Sequence, residues 1–120
     1  MTIKHNEMVA ALAKPGADIL ASLTPNDCHA LHMAVGVVGE AGELIDAVKK
    51  AVFYRKPLDR ENVVEELGDL EFYMEGLRQA YNITREETIA HNIHKLAEGP
   101  NARYKGGYSD AAAQARADKQ

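Results

Sequence analysis

Tryptophan is absent from the sequence, and cysteine occurs once, at Cys28. A lone cysteine excludes an intrachain disulfide and fits a reducing compartment such as the cytoplasm. Long apolar runs are also missing. The first stretch, Met1 to Ala13, carries Lys4, His5, Asn6 and Glu7, so neither a signal peptide nor a membrane span is expected. Excess positive charge is lacking too: the net charge is -4. No global pull toward a nucleic-acid polymer follows, and a small anionic substrate needs local cations or a metal. Strand signals are nearly absent, because no segment alternates apolar and polar residues for long. No internal repeat stands out. What remains is 120 residues with 46% hydrophobic content, which suits one compact domain that gains from association.

Helix punctuation is strong. Thr2 to Ala13 reads as a short helix stopped by Lys14-Pro15-Gly16, with a further turn at Ala17 to Ser22. Thr24-Pro25-Asn26-Asp27 starts a long helix: Thr24 caps, Pro25 suits the first position and Asp27 opposes the macrodipole. That helix runs to about Tyr54, before Lys56-Pro57. Asp59 caps the next, which reaches about Tyr81 and exits at Asn82. Thr84 to Glu87 has capping-box spacing and opens a helix ended by Gly99-Pro100. Two long helices with a short connection pack antiparallel, and the helix from Thr84 completes an all-α antiparallel bundle. Residues 1–109 form this single domain. The tail from Asp110 to Gln120, rich in alanine and charge, is expected to be frayed or disordered, although alanine also permits a helix.

Glu40 and Glu43 lie three residues apart on one helix face, and Glu66 with Asp69 repeats the spacing on the next helix. In an antiparallel pair the two sets can meet at one level. Four carboxylates there repel without a cation, and magnesium takes oxygen ligands together with waters and substrate phosphates. On the second helix Val63, Leu67, Leu70, Met74, Leu77 and Tyr81 form an apolar stripe, with Glu66 near its edge. On the first, Leu31, Val35, Val38, Ala41, Ile45 and Val48 spread apolar character widely. Glu40 and Glu43 fall on the far side, beside Gly36 and Ala47, and that face is expected to need a second partner. Acid pairs three apart are also common on solvated helices. Glycines weigh against that bland reading. Gly36, Gly39, Gly42 and Gly68 each cost about 1 kcal/mol in a helix, a cost often offset by close packing or ligand approach.

Gly39-Glu40-Ala41-Gly42-Glu43-Leu44, followed by Glu65-Glu66-Leu67-Gly68-Asp69-Leu70, resembles the MazG-like branch of the all-α NTP pyrophosphatases. The likeness extends through Asn92-Ile93-His94-Lys95-Leu96 to Arg103-Tyr104 and Gly107-Tyr108-Ser109. It implies Mg²⁺-dependent hydrolysis of a nucleoside triphosphate at the α–β bond, giving a nucleoside monophosphate and pyrophosphate. It also implies that Glu40, Glu43, Glu66 and Asp69 are the metal ligands and that the chain forms a homodimer or homotetramer. Gly39 stands where some relatives carry an acid that assists the attacking water. That leaves Glu43 or a metal-activated water as the base.

Lys95 and then Arg103 are the expected phosphate-binding cations, and Asn92, about one turn before Lys95, can donate to phosphate or sugar. Tyr73, four residues after Asp69, either stacks on the nucleotide or is a core-edge aromatic. His32 either lines the nucleotide pocket or is simply hydrogen-bonded and half-buried. Lys49, Lys50, Arg55 and Lys56 read first as a solvated face near a helix C-terminus. Two other classes compete. His29 with His32, or His91 with His94, could join carboxylates in a zinc or di-metal bundle, although the Glu-x-x-His motif is missing. The other alternative is a non-catalytic helical nucleotide-binding or interaction module, which Gly39 favours.

Overall fold

A computed structural model describes residues 2–119. The order is α1 (His5–Leu12), α2 (Gly16–Ser22), α3 (Pro25–Phe53), α4 (Arg60–Ala80), α5 (Arg85–Ile93), a π-helical turn (His94–Glu98), α6 (Asp110–Ala115) and a 3₁₀ turn (Ala117–Lys119). No strand occurs among the described residues, as the all-α reading requires.

Local chemistry sets most boundaries. Thr24 accepts from the Asp27 amide at 3.1 Å, and Asp27 accepts from the Thr24 amide at 2.8 Å. This capping box satisfies two amides that a helix start leaves unpaired. The donated amide holds the Asp27 carboxyl below its ordinary range. Asp59 caps α4 and Thr84 caps α5 by accepting from the amide three residues on, without the reciprocal bond. At the end of α4, Asn82 is left-handed at φ 57°, and the Ile83 amide returns to the Arg78 carbonyl at 2.9 Å. That is a Schellman ending, with asparagine in the position glycine usually takes. Two expected bounds shift. α1 begins at His5 because Lys4 is extended, and the last turn before Gly99 widens to π geometry.

α3 and α4 pack as an antiparallel hairpin, the one extensive contact between α-helices among the described residues. Asn26 Nδ2 closes its open end by donating to the Ala80 carbonyl at 2.8 Å. The α3 seam is Ala30, Met33, Val37, Glu40, Leu44 and Ala47, all buried or half-buried. Small residues let the helices approach closely. A Cβ on Gly36 would overlap the Tyr73 ring, and one on Gly76 would overlap the Met33 sulfur. Two substitutions should therefore diverge. Gly36→Ala gains about 1 kcal/mol of helix propensity but meets a ring that cannot yield, and overpacking costs about 1–3 kcal/mol. Gly76→Ala meets the end of a flexible thioether. Urea unfolding should show Gly36→Ala destabilised by about 1 kcal/mol and Gly76→Ala close to neutral.

The seam corrects one expectation. Glu40 was placed on a face lacking a partner, yet it faces α4 of its own chain. The unpartnered face is instead the apolar one. Leu31, Val35, Val38, Gly42, Ile45 and Val52 follow a heptad along α3, broken at Lys49, and Val38 is 74% and Ile45 65% exposed. The radius of gyration is 20.3 Å, against about 14 Å for a compact domain of this length. Among the described residues the buried hydrophobic ones are only Ala30, Met33, Ala47 and Ala102.

Within the C-terminal tail, the helix that alanine permits is present. Ser109 caps α6 by accepting from the Ala112 amide at 3.0 Å. The alanines then propagate a turn and a half of helix, and Asp118 anchors the end against Arg103.

Candidate metal centre

Antiparallel packing brings the middle of α3 against the middle of α4. Glu40 comes from the first, and Glu66 with Asp69 from the second. Each offers a carboxylate oxygen, and these three oxygens all lie within 4.8 Å of one another. Glu40 and Glu66 are half-buried, while Asp69 is exposed. Glu66 Oε2 is buried without a hydrogen-bond partner. An orphaned carboxylate oxygen in a native fold calls for a cation, a proton or a water. The Glu66 carboxyl is pushed up from its ordinary range. The main cause is its hydrogen bond with Glu40, which needs a proton between the two; burial and the charges of Glu40, Asp69 and Glu43 add to it. Glu43 lies outside the close triple and is exposed, yet it is near enough to repel Glu66. The donors are all oxygen, the chemistry of a hard divalent cation.

Two helical glycines flank the acids, Gly39 before Glu40 and Gly68 before Asp69. An added Cβ at either would meet nothing within 4 Å. Contacts inside the chain therefore offset neither cost. Both leave open approach beside the carboxylates.

A family model described as the MazG nucleotide pyrophosphohydrolase domain matches residues 29–102, more than half of the chain. The chain belongs to the MazG family. No curated protein and no solved structure matches it. Nucleotide pyrophosphohydrolase activity is thereby the general expectation, and the family's dependence on a divalent metal fits the acid triple. The matched stretch holds α3 from its second turn on, α4, α5 and the π turn. Arg103 and the C-terminal segment lie just beyond it.

The remaining candidates of this MazG chain fall into two groups. His32 and Tyr73 sit on the hairpin, their rings edge-to-face with centroids 6.3 Å apart. Tyr73 is wedged over Gly36 and also meets the Phe72 ring at 5.2 Å. Packing of the hairpin thus already uses Tyr73, while His32 is exposed. Asn92, Lys95 and Arg103 belong to the second group. Asn92 is exposed on α5. The Arg103 amide bonds the Lys95 carbonyl at 3.0 Å and draws the two cations together. Among the described residues no hydrogen bond or ion pair joins this group to the acids, and α5 does not pack extensively on either long helix.

Lys50 pairs with Asp46 at 3.0 Å, and Lys49 lies 5.8 Å from the Tyr54 ring centroid, as on a solvated face. No histidine joins a group of potential ligands among the described residues, so neither histidine pair gains a metal role. No helix there is long and apolar enough to cross a membrane. Sequence reasoning missed Asp118. Its side chain is 4% exposed and meets both Lys95 and Arg103. One acid in an alanine-rich tail offers no signal that would have singled it out.

Proposed function

We propose that this chain hydrolyses a nucleoside triphosphate between its α and β phosphates, releasing a nucleoside monophosphate and pyrophosphate. The observation that carries the reading is the orphaned, buried Glu66 oxygen inside a cluster of carboxylates drawn from two helices. Glu40, Glu66 and Asp69 would hold Mg²⁺, with Glu43 beside them. When bound, the metal neutralises phosphate charge and lowers the pKa of a water. The chain's own residues do the rest. Glu43 takes the proton of the water that adds to the α-phosphorus, as the bond to the α–β bridging oxygen breaks. Lys95 and Arg103 hold the phosphates and receive the charge of departing pyrophosphate. Asn92 donates to phosphate or sugar, and His32 with the free edge of Tyr73 borders the nucleoside. The lone exposed Cys28 suits work in a reducing cytoplasm.

The active species on this reading is a homodimer or homotetramer in which a second copy covers the apolar heptad of α3. Gly42 lies on that heptad with open space above it, the small residue that a closely crossing helix requires. Val38→Lys combined with Ile45→Lys changes only side chains exposed in the single chain. Sedimentation equilibrium should show the wild type assembled and the double variant monomeric, with its helical signal retained. A monomeric wild type would end the assembly reading.

The direct test is incubation with Mg²⁺ and a panel of ribo- and deoxynucleoside triphosphates. Monophosphate and pyrophosphate in equal amounts are expected. The second reading, a nucleotide-binding module without turnover, is favoured by Gly39, which puts no acid beside Glu40. Saturable binding with no product would establish it instead.

A further inference from the structure

The two cations read above as phosphate ligands are already occupied by an acid of their own chain. Arg103 presents its guanidinium edge to Asp118, with Nε 2.7 Å from one carboxylate oxygen and Nη2 3.2 Å from the other. Lys95 Nζ is 3.9 Å from the second oxygen. This fork-to-carboxylate geometry is the one the same guanidinium offers to phosphate. The Asp118 side chain is 4% exposed, far less than Lys95 at 30% or Arg103 at 19%. Donation from Arg103 holds the Asp118 carboxyl below its ordinary range, so it is an anion at neutral pH. Lys95 and Asp118, but not Arg103, also border a cleft of about 370 Å³ with His91, His94, Pro100 and Asn101.

α6 buries no residue and makes no extensive contact with another helix. Arg116, the hinge between α6 and the last turn, sits at φ 49°, a left-handed conformation that disfavours a residue with a Cβ. Segments with few buried contacts open locally at small cost.

We propose that Asp118 is an intramolecular stand-in for substrate phosphate, a tail anion that occupies the Lys95–Arg103 pair and must leave before a polyphosphate binds there. The proposal rests on the reading of those cations as phosphate ligands. It makes the C-terminal segment an autoinhibitory element that a more highly charged anion displaces. A tail closed about nine-tenths of the time weakens apparent affinity about ten-fold, because only the open fraction is competent.

The test titrates the full chain with inorganic pyrophosphate in Mg²⁺ by calorimetry. Asp118→Asn should bind about ten-fold more tightly than wild type. Adding Arg103→Ala to Asp118→Asn should then weaken binding again. On the unaltered chain, pyrophosphate should speed hydrogen exchange across residues 110–119. Unchanged or weaker binding by Asp118→Asn, with the Arg103→Ala loss still present, overturns the proposal alone: Asp118 would then merely position Arg103. Absence of the Arg103→Ala loss overturns the proposal together with the reading beneath it. Slower exchange of the tail on adding pyrophosphate to the wild type also overturns the proposal, whatever the variants do.

Discussion

Glu66→Gln is expected to make the metal-free chain more stable and to destroy its response to magnesium. The two effects have one origin. In the absence of a cation, Glu66 shares a crowded volume with Glu40 and Asp69, and its buried oxygen has no donor. The amide keeps the shape, removes a charge and brings two N–H donors for the neighbouring carboxylates. Its melting temperature in chelator should therefore exceed that of wild type by several degrees. Magnesium should raise the wild-type midpoint, since a ligand of the native state stabilises it by mass action. It should leave the variant unmoved. Pyrophosphate release should fall about a thousand-fold or more, the scale set by losing a metal that neutralises phosphate charge.

The pH dependence carries the same sign. Because the Glu66 carboxyl is pushed up in the folded chain, the native state holds a proton there that the unfolded chain has lost. Stability of the metal-free protein then falls as pH rises from the ordinary glutamate range through the raised value, and recovers on acidification through that window. Glu66→Gln should lack this dependence. A wild type that neither gains stability on mild acidification nor responds to magnesium would remove the basis for a metal centre here.

The acids were legible because their signal is short-ranged and repeated. Spacing by three puts each pair on a face, and two helices with a short connection can meet at only a few registers. The caps were legible for a similar reason, since Thr24, Asp59 and Thr84 act on amides only three residues away. The packing face of α3 was not. Apolar residues occur on nearly every side of that helix, and reading the largest of them as the core put Glu40 on the wrong side. Close approach selected small residues instead: Ala30, Gly36 and Ala47 face α4, with the Tyr73 ring filling the space over Gly36. The bulky stripe stayed outside. A single sequence does not say whether such a stripe faces its own chain or another. Asp118 was hidden for a different reason. Its contacts reach back to Arg103 and Lys95 across a loop whose path no local pattern specifies. Likewise, the separation of Lys95 and Arg103 from the acids depends on how α5 is carried, which helix periodicity leaves open.

The second large effect concerns Glu43, and it separates two jobs that motif reasoning gave to one residue. Glu43 was expected both to bind metal and to serve as base. The close triple of oxygens omits it, and it remains exposed beside the cluster. A carboxylate outside the ligand group keeps its lone pairs for a proton, and Gly39 puts no competing acid before Glu40. Glu43→Gln should therefore lower kcat by about 10²- to 10⁴-fold, the usual worth of a general base. The Mg²⁺ concentration giving half-maximal thermal stabilisation should stay unchanged. Glu40→Gln, by contrast, should shift that concentration upward, because Glu40 belongs to the triple. A Glu43→Gln variant that needs much more Mg²⁺ would make Glu43 a ligand and transfer the proton to another acceptor. One that keeps full kcat would remove Glu43 from the reaction altogether.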